Sequence, residues 1–180
     1  MGLYNKKIMK YYNAMVVFEE IPNEITLAIN ITNCPCHCKG CHSKFLWEDV
    51  GTDLSYEELE RLIKTNDGIT TVCFMGGDAN PYEISKLAHM IRLTHRKLKV
   101  GWYSGRDELS KDINLDWLDY IKLGHYDEDL GGLNKETTNQ RLYKVIHEKM
   151  YAPTFESEAK VLNHNKLDDI TNMFWKKMLK

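Results

Sequence analysis

No stretch of this sequence is apolar for long enough to cross a membrane, which takes about 20 residues. The longest apolar run near the start covers only residues 14–18 and gives way to Glu19 and Glu20. A secretory signal pattern is missing as well, and the opening MGLYNK places Lys6 where a myristoylation signal requires Ser or Thr. Excess charge of one sign is lacking. Lys and Arg total 24 against 26 Asp and Glu, so the formal net charge of -2 points to no nucleic-acid partner. Repeats and low-complexity linkers are absent, and the four prolines are scattered, so nothing marks a domain boundary. A single cytoplasmic domain over residues 1–180 is expected, large enough to bury a core without disulfide staples.

What the chain does have is a cluster of thiols. Four of its five cysteines fall within eight positions, at Cys34, Cys36, Cys38 and Cys41, with Cys73 apart. A disulfide-stapled domain spreads an even number of cysteines; an odd number packed this tightly indicates metal or redox chemistry in a reducing compartment. Cys34, Cys38 and Cys41 form a Cys-x3-Cys-x2-Cys pattern. A four-iron cluster normally takes four thiolates, so three leave one iron open to a small molecule. Cys-x2-Cys with His37 or His42 also suits a tetrahedral zinc site, and from spacing alone both readings stand.

Along the chain, strand and helix patterns alternate. Residues 24–30 (EITLAIN) are apolar and partly β-branched and lead into the cysteine loop, taken as residues 34–42. Ser55 opens a helix with Glu58 completing a capping box and Leu54 and Leu59 at the staple positions. Residues 70–75 form the next strand, stopped by Gly76 and Gly77, and Asn80, Pro81 and Glu83 open a second helix. Strands at 99–103, 119–123 and 141–146 follow, and Leu167, Ile170, Phe174 and Met178 predict a terminal helix over 166–179. Alternating strands and helices predict an α/β fold with right-handed crossovers and a mainly parallel sheet. A closed eight-fold barrel needs about 250 residues, so an open partial (β/α) barrel is expected. In such folds sites gather at the carboxyl ends of strands. There lie the cysteine loop, Gly76-Gly77-Asp78, Tyr103-Ser104-Gly105 and Gly124-His125-Tyr126, and one shared cavity is expected.

Together these residues resemble the radical S-adenosylmethionine (SAM) family, whose signature is Cys-x3-Cys-x2-Cys in the loop after the first strand. The resemblance implies that Cys34, Cys38 and Cys41 hold a [4Fe-4S] cluster and that SAM binds the fourth iron. The family's Gly-Gly-Glu element would be Gly76, Gly77 and Asp78, with Asp in place of Glu. Gly40, Cys41, His42, Ser104 and Gly105 are expected to complete the SAM site. The segment CHCKGCH and the strings FMGGDA, WYSG and TTNQRLY are similar to the activating proteins of anaerobic ribonucleoside-triphosphate reductase, over about residues 21–143. Residues 150–165 match nothing in that subgroup and read as an insertion, whereas DITNMFW resembles its usual ending. The implied activity is reductive cleavage of SAM to place a glycyl radical on that reductase, with flavodoxin or ferredoxin as electron donor. The alternatives are action on another glycyl-radical enzyme or a small molecule, and a non-enzymatic zinc or cluster-binding module. Cys36 is expected to stay off the cluster because it crowds both neighbours. Cys73, Trp47, Trp102 and Trp117 are expected in the core, Lys122 stands out in an apolar strand, and Arg141 suits a strand-edge ion pair or a partner surface.

Overall fold

Alternation of side chains along short β-branched and aromatic runs builds one sheet, and two capped helices cover one of its faces. The computed structural model describes residues 8–151 and 161–176. In chain order the elements are β1 (Lys10–Val17), β2 (Thr26–Ile31), β3 (Thr52–Asp53), α1 (Tyr56–Lys64), β4 (Thr71–Met75) and α2 (Pro81–Thr94). They continue as β5 (Lys99–Tyr103), β6 (Tyr120–Leu123), β7 (Arg141–Tyr151), β8 (Val161–Asp169) and α3 (Asn172–Lys176). Among the described residues no helix is long and apolar enough to cross a membrane.

The helix starts follow from their caps. Ser55 Oγ accepts from the Glu58 N–H at 3.2 Å, but the capping box is only half formed, because the Glu58 carboxylate instead accepts from Tyr11 and Arg61. Asn80 Oδ1 accepts from the Glu83 N–H at 3.2 Å, with Pro81 filling the first helical position.

The expected open partial (β/α) barrel with a mainly parallel sheet is not what forms. The sheet is mixed, with eight strands in the order β3-β1-β2-β4-β5-β6-β7-β8. Only the β2–β4, β4–β5 and β5–β6 pairings are parallel. β1 runs antiparallel to both β2 and β3, and β7 antiparallel to both β6 and β8. The physical reason is the connections: the links β1–β2 and β6–β7 carry no α-helix, and a strand that returns without a crossover element pairs antiparallel. β1 itself was missing from the sequence pattern, since its bulge between Tyr11 and Asn13 breaks the two-residue period.

The C-terminal segment also differs from expectation. Residues 166–169 belong to β8 rather than to a helix, and α3 starts only at Asn172. Asp169 Oδ1 accepts from the N–H and hydroxyl of Thr171, forming the turn between strand and helix. Leu167 packs on the helix-side core and Ile170, inside the turn, on the opposite cluster, so the spacing that suited one helical stripe serves two faces. Residues 150, 151 and 161–165 of the expected insertion lie in the β7–β8 hairpin, whereas 152–160 and 177–179 fall outside the described residues.

Strand alternation gives the sheet two apolar faces. Leu27, Ile29, Val72, Phe74, Val100, Trp102 and Ile121 pack against Leu59, Leu62 and Ile63 of α1 and Ile84, Leu87 and Ile91 of α2. Ile21, Cys73, Tyr103, Tyr120 and Leu142 face the other way, towards Phe174 and Ile170. At the amino-terminal ends of the parallel strands, the buried carboxylate of Glu24 accepts from Thr70, Thr71 and Tyr120 at 2.6, 3.1 and 2.8 Å. Lys99 completes this set as an ion pair. One carboxylate thereby ties together the starts of four strands, leaving the opposite ends free to carry loops.

Candidate metal centre

Those opposite ends hold the cysteine loop. Left-handed backbone at Asn33, His37 and Gly40, with φ of 62°, 45° and 72°, turns the chain just before the first thiol and twice between the thiols. At Gly40 this conformation comes with crowding, since a Cβ there would lie 2.5 Å from Glu128 Oε2. Glu128 also pairs with Lys39 at 2.5 Å. On its other side the loop is fixed by Asn33 N–H to Glu48 O at 3.0 Å and Cys34 N–H to Leu46 O at 2.9 Å.

All five cysteines are free thiols; the four in the loop are partly buried and Cys73 is fully buried in β4. Hydrogen bonds separate two neighbours chemically. The neighbouring Cys36 thiol and the backbone N–H groups of Cys36 and His37 lower the Cys34 thiol against the upward push of burial and of Asp78. The same contact, burial and the nearby Asp78 push Cys36 far up. The pair thus favours a thiolate, the form that binds metal, on the Cys34 side. Burial likewise pushes the Cys73 thiol well up, which suits a core residue.

Among the described residues no three His, Cys, Asp or Glu side chains are gathered at metal-binding distance, so Cys34, Cys38 and Cys41 are not converged. The donor chemistry nevertheless fits an iron-sulfur cluster: a thiolate-prone cysteine, two further half-buried thiols, and N–H groups aimed at sulfur. Ser43 N–H lies 3.4 Å from Cys41 Sγ. The Trp47 indole N–H, sealed from solvent beside the loop, has no acceptor among the described residues.

The other expected site residues divide into two groups. Gly76 and Gly77 have φ of 99° and 94° and turn the chain from β4 into α2. Their carbonyls are engaged, that of Gly76 by Trp102 Nε1 at 2.8 Å and that of Gly77 by Asn80 N–H at 2.9 Å. A Cβ on Gly77 would press to 2.6 Å on Ile84. Asp78 is buried, and its carboxylate accepts from Ser104 Oγ at 2.5 Å and Gly105 N–H at 2.9 Å. Asp78, Ser104 and Gly105 therefore form one polar knot, and Cys36 leans on it, because a Cβ at Gly105 would sit 2.8 Å from Cys36 Sγ.

A cavity of about 740 Å³ opens between the end of the cysteine loop and the ends of β5 and β6. His42 and Ser43 reach it from the cysteine loop, Tyr103 and Lys122 from β5 and β6, and Tyr126, Gln140, Leu133 and Phe174 from later segments. Gly76, Gly77, Asp78, Ser104 and Gly105 do not line it; Asp78 instead borders a separate hollow of about 620 Å³ with residues 106–112. The expected single shared cavity does not form: the strand-end motifs border separate hollows, Gly77 a third one of about 110 Å³. His42 Nε2 lies 3.0 Å from the Tyr126 hydroxyl, which joins the cysteine loop to the segment after β6.

Lys122, conspicuous in the apolar strand YIKL, points into this site. Its buried Nζ donates to Ser104 O at 2.9 Å and Gly124 O at 2.6 Å. Burial pushes it down to about 8, with Asp78, Cys38, Cys36 and Asp107 opposing. Tyr126 lines the cavity as its strand-ending motif Gly124-His125-Tyr126 led one to expect, whereas Gln140 and Trp47 were not singled out as site residues in the sequence; the signal for Gln140 was its place within TTNQR. Arg141 makes the strand-edge ion pair, 3.7 Å from Asp169.

A family model described as a 4Fe-4S single cluster domain matches residues 25–146, from the start of β2 into β7 and including all four loop cysteines. No curated protein and no solved structure matches the chain.

Proposed function

The chain belongs to the 4Fe-4S single cluster domain family, and from that premise we propose that it is a radical SAM activase of anaerobic ribonucleoside-triphosphate reductase. In this reading Cys34, Cys38 and Cys41 hold a [4Fe-4S] cluster, and SAM occupies the position left open by the missing fourth thiolate. Such a cluster, when bound and reduced, would supply the one-electron chemistry for reductive cleavage of SAM and, through it, for a glycyl radical on the reductase. The observation that carries the reading is continuity: the residues directly after Cys41, His42 and Ser43, form a wall of a cavity of about 740 Å³, within the range of small-molecule sites.

The chain's own residues then have separable tasks. Cys34, lowered by its neighbours, would be a cluster thiolate, and Cys36, which crowds Cys34 and Cys38, would stay off the cluster. Lys122 brings a buried amine to the cavity wall, suited to a ligand carboxylate. The Asp78 knot fixes the loops after β4 and β5 against each other and contributes rigidity rather than a free acceptor. His42, braced by Tyr126, lies on the cavity side of the last ligand. Leu133 and Phe174 supply an apolar wall that limits water near a reactive radical. A flavodoxin or ferredoxin would deliver the electron.

A second reading follows from the contact between Cys36 and Cys34: Cys36 as a fourth thiolate would close the cluster and leave an electron carrier. Mixing the reduced protein with SAM and the reductase decides for the activase. A glycyl doublet in the electron paramagnetic resonance spectrum of the reductase is expected, and its absence with an intact cluster refutes the assigned partner.

A further inference from the structure

A buried hydrogen-bond donor without an acceptor costs about 1–3 kcal/mol, so native structures contain few and each calls for a cause. The Trp47 indole N–H is such a donor, shielded from water and unpartnered among the described residues. Its location is specific. The Trp47 ring stacks on His37, between Cys36 and Cys38, at 4.7 Å between centroids and 15° between planes. The residues on either side of Trp47 hold the start of the same loop, Leu46 O accepting from Cys34 and Glu48 O from Asn33. Lys44 Nζ lies 5.8 Å from the ring centroid, within cation–π range, and helps hold the ring in place.

We propose that the Trp47 indole N–H donates a hydrogen bond to sulfur of the bound cluster, a cysteine Sγ or an inorganic sulfide, and thereby raises the cluster's reduction potential. The cluster is the one acceptor-rich group that family membership brings to this loop, and hydrogen bonds to its sulfurs are among the factors that set its potential. A donor stabilises the more negatively charged reduced state more than the oxidised one, so the sign is fixed by electrostatics. Trp47 is a positioning and tuning residue here. It was expected in the core, and its ring does pack, but packing alone has no use for a buried N–H.

Trp47→Phe keeps a ring to stack on His37 and deletes only the donor. After anaerobic reconstitution, a redox titration without SAM should show the ratio of reduced to oxidised cluster in the variant falling about three- to tenfold at a fixed poise; tenfold is 59 mV for one electron. An unchanged potential at equal iron content overturns the proposal. Should the variant fail to load iron, native protein carrying ¹⁵N-labelled indole decides. A ¹⁵N hyperfine coupling to the reduced cluster, by pulsed electron paramagnetic resonance, supports the hydrogen bond, and no coupling refutes it. The proposal rests on the cluster alone, so a cluster indifferent to SAM would remove the activase reading and leave this one standing.

Discussion

Replacing Glu24 tests whether one carboxylate organises the end of the sheet opposite the cysteine loop. Thr71 is fully buried and Tyr120 is 5% exposed, so in Glu24→Ala their hydroxyls lose an acceptor that water cannot replace. At about 1–3 kcal/mol for each buried orphan, and with little from Thr70 and the half-exposed Lys99, the expected loss is about 3–5 kcal/mol. That is a large share of the ~5–15 kcal/mol that holds a typical domain folded. Glu24→Gln keeps an acceptor oxygen and should lose only about 1–2 kcal/mol. The pH dependence has a definite sign. Burial alone would raise the pKa of Glu24, but hydrogen bonds from Lys99, Thr70, Tyr120 and Thr71 outweigh it and the net shift is downward. A carboxylate lowered in the folded state contributes stability above its unfolded value, 4.5, and that contribution is lost as pH falls through the folded value. Glu58 and Glu60 are lowered too, so the difference between wild type and Glu24→Gln isolates Glu24. Urea unfolding at pH 7 and pH 3, with equal slopes, reads it. A loss below about 1 kcal/mol in Glu24→Ala, or a difference that does not shrink in acid, would refute the reasoning.

Gly40→Ala puts an alanine into left-handed backbone and against Glu128, including its Cβ, costing about 1–2 kcal/mol and slowing iron uptake; Glu128→Gly in the same chain should restore part of the stability, measured as a double-mutant cycle. Cys36→Ala is expected to keep about four irons per chain and Cys38→Ala to lose them, by iron and sulfide analysis; equal loss in both would place Cys36 on the cluster. For Lys122→Met, two opposing effects nearly cancel at pH 7: relief of burying an amine held near 8, and loss of donors to Ser104 O and Gly124 O. Because the folded value lies below the unfolded one, 10.5, wild type should gain stability over the variant as pH rises from about 8 to 10.5. Parallel unfolding free energies at pH 7.5 and 10 would count against this.

The legible parts of the fold were those with strong local signals. Ser55, Asn80 and Pro81 start helices where their chemistry requires, and β5 has the bounds its sequence predicts. The sheet's mixed character was not legible because pairing direction is decided by connections, and neither β1 nor the β7–β8 hairpin carries a turn dipeptide or a clean two-residue period. The terminal segment misled because Leu167, Ile170 and Phe174 fit a helical stripe and a strand-turn-helix equally well. In the site, cysteine spacing announced a metal centre without help from the fold. That Asp78 binds Ser104 and Gly105 rather than facing the main cavity was beyond reach, since it depends on how the ends of β4 and β5 meet in space. Trp47 read as a core residue because composition reveals a ring but not an unpaired N–H.

The open iron is the central claim, and it is read most directly by anaerobic reconstitution with iron and sulfide, followed by electron paramagnetic resonance of the reduced protein with and without SAM. Three thiolate ligands predict a four-iron spectrum that changes when SAM is added. A spectrum indifferent to SAM, or zinc bound in place of iron, would contradict the account.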